Sequence, residues 1–283
     1  MNDPTSQHVL VVGGGTMGAG IAQNLLQIGC PVTVREASAE AAEAALGRVT
    51  DGLNRAHRKA DDPASLVAAD LARLDIVDTL PDAEPDLVIE AVPELVDLKA
   101  RVLAELADHY PTTLLATNTS SLSITELATH VSAPERFIGM HFFNPVPVSS
   151  LVELVVGEAT DEATVEASRR WVERLDKTAI VVNDSPGFAT SRLGLALGLE
   201  AIRMVEQGVA AAEDIDRGME LGYKHPMGPL RLTDLVGLDV RLGIAEHLAS
   251  TLGPRFEPPD LLRQMVAEGK LGRKSGEGFY SWT

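Results

Sequence analysis

Short runs of four or five apolar residues, most of them closed by a glycine or an acid, recur through the first two-thirds of the chain. They predict buried strands at 8–12, 32–35, 86–90, 113–117 and 137–140, and strand-like segments again at 151–156 and 178–182. Runs with so little polar alternation suit strands covered on both faces. Between the first two runs, 18–28 carries helical periodicity, so strand, glycine turn, helix and strand follow one another as a βαβ unit. The stretch from 37 to about 74 is helical and long, broken near Asp61-Asp62-Pro63. A doubly wound crossover needs only about 10–12 residues, so the excess predicts an inserted helical pair projecting from the sheet. A further helix is expected at 94–107.

The pattern changes after Asn183-Asp184-Ser185-Pro186-Gly187-Phe188. From there the apolar spacing is helical, roughly over 191–207, 213–221, 230–252 and 259–268, with Gly- or Pro-containing turns between. The expected fold is α/β: a Rossmann-like doubly wound sheet with an inserted helical pair over 1–184, then an all-α domain over 185–283. No internal repeat is evident.

Charge narrows the partners. Forty-one acids against 24 bases give a formal charge of −17 in 283 residues. Such a field repels polyanions, so nucleic acid is not an expected partner and an anionic substrate needs a local basic patch. One candidate is Arg48, Arg55, Arg58 and Lys59 in the helical insertion. Positions 48, 55 and 59 are spaced by seven and four, so they share one helical face; the alternative is a solvated face with local ion pairs. The single cysteine, Cys30, excludes an internal disulfide and reads as a small buried hydrophobe. No basic leader precedes the first strand, and no apolar stretch approaches the ~20 residues that cross a bilayer. A cytoplasmic protein without a membrane partner is expected.

Two groups of residues carry chemistry. Gly13, Gly15 and Gly18 form G-x-G-x-x-G between a strand and a helix, with Thr16 and Met17 inside the turn. The first glycine permits the tight turn, the second lets backbone amides approach a pyrophosphate, and the third brings helix close to strand. Glu36, at the end of the second strand, is placed to accept from adenosine ribose hydroxyls and to repel a 2′-phosphate, which favours NAD over NADP. Arg35 beside it pulls the other way. The second group is His141-Phe142-Phe143-Asn144-Pro145, followed by Glu153. A carboxylate beside an imidazole fixes its tautomer and stabilises the imidazolium, the arrangement of a histidine that moves protons. A proton-handling pair beside a hydride-carrying cofactor points to alcohol–ketone redox chemistry.

The stretches VVGGGTMGAGIAQ, DLVIEAVPE, NTSSLSIT, RFIGMHFFNPVP, LVELV, SPGFATSRL, HPMGPLRLTDLVGLD and LGRKSGEGFY occur in this order from near residue 9 to residue 280. With them the chain resembles the short-chain L-3-hydroxyacyl-CoA dehydrogenases, of the 3-hydroxybutyryl-CoA dehydrogenase type. The resemblance implies NAD-dependent interconversion of an L-3-hydroxyacyl-CoA and a 3-ketoacyl-CoA, as in fatty-acid β-oxidation, by a homodimer. It implies His141 as the base, Glu153 as its partner, and Ser120 and Asn144 as residues that order the substrate oxygen and the base. It also places Glu94, Lys99 and Asn118 at the cofactor, and the helices bearing Arg55 and Lys59 near the CoA phosphates. One position departs. Where the family often has asparagine in P-G-F-V-x-N-R, this chain has Ser191, whose shorter hydroxyl reaches the substrate oxygen directly or through a water.

The remaining features read as structural. His57, His109, His130 and His247 lie on polar or helical stretches without ligand spacing and read as surface residues. His225 reads as shaping a loop at a domain or subunit contact, and no Cys/His cluster indicates a metal. Gly276, Gly278, Phe279 and Tyr280 are expected to dock the C-terminal tail. Two other readings stay open: a related dehydrogenase of a non-CoA hydroxy acid or sugar acid, and a non-catalytic NAD-binding protein. A fused hydratase is not expected, since the chain has no room for a second module.

Overall fold

The computed structural model describes residues 7–282; the segment 1–6, read above as lacking a leader, lies outside them. Two compact units divide between Asp184 and Ser185.

The first unit carries, in chain order, β1 (Val9–Val12), α1 (Thr16–Gln27), β2 (Val32–Arg35), α2 (Ala39–His57), α3 (Pro63–Leu71), β3 (Leu74–Val77), β4 (Leu87–Glu90), α4 (Val96–His109), β5 (Leu114–Thr117), α5 (Ile124–Ala128), β6 (Phe137–Phe142), β7 (Leu151–Val156), α6 (Glu162–Arg174) and β8 (Thr178–Asn183). They build one eight-stranded sheet in the order β3-β2-β1-β4-β5-β6-β7-β8. The first six of these neighbours run parallel; β7 is antiparallel to β6, and β8 parallel to β7. All four residues of β1 and of β4 are buried, as strands covered by helices on both faces require. Val9, Val11 and Ile89 meet Ile21 and Leu25 of α1 and Val49 and Leu53 of α2 in one core. Cys30 lies in that core, and burial pushes its thiol pKa up.

The long helical stretch resolves into α2 and α3, each with a side-chain cap. Ser38 Oγ accepts from Ala41 N at 3.2 Å, and Asp62 Oδ1 accepts from Ser65 N at 3.1 Å with Pro63 opening α3. Asp61-Asp62-Pro63 is therefore a helix start. The pair packs along α1: Gly52 of α2 sits so close to Gln23 that a Cβ there would lie 2.2 Å from Oε1, and Gln23 Nε2 donates to Gly52 O at 3.2 Å.

Four sequence expectations need correction. The helical pattern does not run to Leu74, because Leu74–Val77 forms β3 beside β2; a half-exposed edge strand of four residues leaves a faint signal. His57 is not a free surface residue. Its Nε2 lies 2.7 Å from Asp70 Oδ2, and Arg73 holds the other oxygen of that buried carboxylate at 2.6 Å, tying α2 to the end of α3. The strand predicted at 137–140 continues to Phe142, because pairing with β7 extends through Phe142 and Val152. The helix expected over 230–252 is two helices, broken at Gly237, whose φ of +105° no α-helix contains.

The second unit comprises α7 (Thr190–Glu206), α8 (Ala212–Gly222), α9 (Pro229–Val236), α10 (Leu238–Leu252) and α11 (Asp260–Ala267). Leu195, Leu199, Ile202, Leu230, Leu248 and Leu262 form its core. The tail docks on two buried carboxylates. Asp234 accepts from Phe279 N, Tyr280 N and Trp282 Nε1 at 2.8–2.9 Å, while Asp216 accepts from Leu230 N, Arg231 N and Tyr280 Oη at 2.7–2.8 Å. A Cβ at Gly278 would lie 2.3 Å from Asp234 Oδ1, so glycine is what admits the tail.

Candidate active site

The turn between β1 and α1 takes its form from two glycines. Gly13 has φ +97°, and a Cβ there would lie 2.9 Å from Ala91 O; a Cβ at Gly18 would lie 1.8 Å from Gly13 O, so only glycine lets the helix start this close to the strand. At Gly15 the Cβ position has no neighbour within 4 Å, and no side chain caps the first turn of α1. The open turn with uncapped amides at a helix N-terminus is the cradle a pyrophosphate needs. Glu36 follows β2, where its Oε1 accepts from Gly14 N at 2.6 Å. Arg35 is engaged elsewhere: its guanidinium makes a bidentate pair with Glu105 at 2.9 and 3.1 Å. The opposing pull that Arg35 exerts in the sequence is thus met by an acid seventy residues away. These residues fit a bound dinucleotide.

They line one end of a cleft of about 1000 Å3 at the carboxyl ends of the parallel strands, where open α/β sheets place their ligands. Glu94, Asn118, Ser120, His141 and Asn144 line the other end. Asn118, just past β5, accepts from Phe142 N at 3.0 Å through Oδ1 and so pins the end of β6. Glu94 organises the loop after β5: its Oε1 accepts from Thr119 Oγ1 at 2.6 Å, Ser120 N at 2.9 Å and Ser121 N at 3.2 Å. Burial on its own raises this carboxyl's pKa, but the Thr119 hydroxyl, Lys99 and the Ser120 amide together hold it below 4.5.

Lys99 does not line the cleft. Its ammonium is buried behind Glu94, 3.4 Å from Oε2, and donates to both oxygens of Glu90 at 2.7 and 3.0 Å and to Val92 O at 3.2 Å. Glu90 also accepts from Thr117 Oγ1 at 2.5 Å and Val92 N at 2.7 Å. Glu90, Thr117 and Thr119 escaped the sequence reading. The available signal was the acid closing the apolar run of β4, a charge with no reason to end a buried strand unless a cation meets it.

His141 and Glu153 face each other across the antiparallel pair of β6 and β7, in direct register. Directly opposed residues project from the same face with their Cβ atoms about 4.5–5.5 Å apart. His141 Nδ1 lies 2.9 Å from Glu153 Oε2, with the carboxylate fully buried and the ring 6% exposed. A carboxylate only accepts, so Nδ1 carries the proton in this pair. The Phe143 ring tilts against the imidazole at 4.5 Å between centroids.

The basic patch is only partly as expected. α2 ends at His57, so Lys59 lies beyond the helix and borders a separate hollow with Asp61 and Asp62. Arg48, Arg55 and Arg58 border a second hollow of about 640 Å3 shared with Asn144 and Pro147. Ser191 lies in the first turn of α7, in the second unit.

A dinucleotide cradle and a buried histidine–carboxylate pair opening on one cleft define a nicotinamide-dependent oxidoreductase of the Rossmann type. Residues 8–185 match the NAD-binding domain of 3-hydroxyacyl-CoA dehydrogenase, and residues 187–282 match its C-terminal domain. The chain belongs to the 3-hydroxyacyl-CoA dehydrogenase family, whose members are NAD-dependent enzymes. It is 45% identical over 279 residues to a protein of Bacillus subtilis named "Probable 3-hydroxybutyryl-CoA dehydrogenase", covering 98% of this chain and 97% of that one. To the 3-hydroxybutyryl-CoA dehydrogenase of Bradyrhizobium diazoefficiens it is 41% identical, covering 98% and 95%. The crystal structure of (S)-3-hydroxybutyryl-CoA dehydrogenase from Ralstonia eutropha superposes with a TM-score of 0.92 at 41% identity, covering 98% and 99%.

Proposed function

We propose that this enzyme interconverts short L-3-hydroxyacyl-CoA and 3-ketoacyl-CoA thioesters, 3-hydroxybutyryl-CoA among them, with His141 as general acid and base. The observation that carries this reading is the His141–Glu153 pair opening on the same cleft as the glycine cradle. NAD, held by Gly13, Gly15, Thr16, Met17, Gly18 and Glu36 and toward its other end by Glu94 and Asn118, supplies the hydride acceptor. Lys99 acts through Glu94. His141 Nε2 takes the hydroxyl proton as the C3–H bond breaks and the C–O bond becomes a carbonyl, while Glu153 holds the ring through Nδ1 and balances the charge it gains. Ser120 and Asn144 fix the substrate oxygen against the base, so the reacting groups meet already oriented. In reduction His141 returns the proton.

Absorbance assays with acetoacetyl-CoA, longer 3-ketoacyl-CoAs and free acetoacetate, each with NADH and NADPH, test the reading. NADH oxidation that requires the CoA thioester is expected; equal rates with free acetoacetate overturn the acyl-CoA assignment in favour of a hydroxy-acid dehydrogenase.

We assign the CoA phosphates to the arginines bordering the second hollow, Arg48, Arg55 and Arg58, with Lys59 contributing only from the turn beyond the helix. These side chains are exposed, so each contact is worth up to about 1 kcal/mol, or up to about fivefold in KM. Replacing Arg55 and Arg58 by alanine should raise KM for acetoacetyl-CoA by that order and leave the pantetheine thioester nearly unchanged. Equal effects on both thioesters would remove the assignment. We further infer a cytoplasmic homodimer acting in fatty-acid β-oxidation. Exposed Leu193, Leu221 and Tyr223 on the second unit supply apolar surface for a partner, and among the described residues no helix is long and apolar enough to cross a membrane.

A further inference from the structure

Three charges stand together at the cofactor end of the cleft. Arg35 closes β2, Glu36 follows it, and Glu105 comes from α4, on one helical face with Leu98 and Val102. All five residues line the cleft. Glu36 is held by the glycine turn, its Oε1 accepting from Gly14 N at 2.6 Å. Glu105 fills the fork of Arg35: Nη1 donates to Oε2 at 2.9 Å and Nη2 to Oε1 at 3.1 Å. The pair is open to water, with its side chains 23% and 46% exposed, so it contributes little to stability. The other arginine lining the cleft, Arg48, donates to Gly14 O at 3.3 Å and borders the second hollow as well.

An adenosine ribose that carries a 2′-phosphate brings a dianion to this place. Its match is a guanidinium, whose planar fork meets phosphate oxygens in two parallel hydrogen bonds. Arg35 stands one residue from the acid assigned to the ribose, yet its fork is taken by a carboxylate of this chain. We propose that Glu105 is a specificity-determining residue that acts through Arg35: it occupies the fork that a 2′-phosphate would otherwise engage, and so adds to Glu36 a second, independent bar to NADP. The proposal rests on the reading that Glu36 meets the adenosine ribose. Glu36 acts by direct repulsion at the hydroxyls, whereas Glu105 acts by competing for a cation. Removing either acid should therefore admit NADPH, and only the Glu105 route should need Arg35.

Fluorescence titration of NADPH and NADH at about 0.15 M salt separates the two routes, because repulsion between exposed groups beyond about 8 Å is screened there while a direct contact persists. Glu105→Ala should tighten NADPH binding by about tenfold, the effect of a charge-assisted contact at a water-exposed site. Glu105→Gln, which keeps an acceptor for Arg35 without the charge, should gain less. In an Arg35→Ala background the same Glu105 substitutions should change NADPH affinity by less than about twofold. The gain is read in NADPH affinity itself and not only in the NADPH-to-NADH ratio, so damage to the fold cannot mimic it. No gain in Glu105→Ala, or a gain equally large without Arg35, overturns the proposal. Glu36→Ser tests the reading beneath it. Tighter NADPH binding in Glu36→Ser with none in Glu105→Ala removes the role of Glu105 alone, while no gain in either variant removes the ribose reading and this proposal together. If Glu105→Ala does not fold, Glu105→Gln decides in the same way.

Discussion

His141→Gln should lower turnover of acetoacetyl-CoA by about 10²–10⁴-fold while leaving NADH affinity where it was. The amide of glutamine can still donate to Glu153, so the buried carboxylate keeps a partner and the strands keep their pairing. What it cannot do is accept a proton and later return it. The dinucleotide cradle is built from β1, α1 and the residue after β2, and is held by its own bond from Gly14 N to Glu36 Oε1. Steady-state NADH oxidation reads the loss, and fluorescence titration of bound NADH reads the binding. Turnover within a few-fold of wild type would remove His141 as the base. A parallel loss of NADH affinity would show that the site had collapsed rather than lost its proton carrier.

The second large effect is on stability. Lys99→Met should destabilise the protein by about 3–5 kcal/mol, because it leaves the Glu90 carboxylate buried without its cation. Thr117 Oγ1 and Val92 N still donate to Glu90, but neither carries charge. The double variant Glu90→Leu/Lys99→Met removes both ions and should recover most of the loss, since well-packed apolar replacements of a buried pair are often neutral. Urea unfolding of the single and double variants checks this, and equal destabilisation of both would mean that packing rather than charge is at stake. Lys99 also faces Glu94, which gathers the Thr119, Ser120 and Ser121 loop, so the single variant should raise KM for NADH as well.

Much of this was legible in the sequence because the relevant signals are local. The apolar runs of β1 and β4, the three glycines and the acid after β2 each state their role within a few residues of themselves. The partners that set the site's electrostatics are not local. Arg35 reads as a threat to NAD preference until Glu105 is brought beside it, and Lys99, placed at the cofactor by resemblance, is instead drawn behind the cleft by the Glu90 that β4 delivers. Edge strand β3 escaped because Asp75 is exposed and its other three residues are only partly buried, which leaves a four-residue run no stronger than a helix end. Lys59 was misplaced by an assumption of helical continuity past His57.

The direct opposition of His141 and Glu153 on β6 and β7 has a consequence for how this enzyme tolerates change. Side chains alternate faces along a strand, so one residue inserted or deleted between Gly139 and His141, or between Glu153 and Val155, would turn the imidazole and the carboxylate to opposite sides of the sheet. No rotamer adjustment reunites them. The connection from Phe143 to Ser150 lies outside the ladder and carries no such parity, so length variation belongs there. Sequence drift in this lineage should accordingly reshape the rim of the cleft freely, while the two strands beneath it accept substitutions but never a change of length.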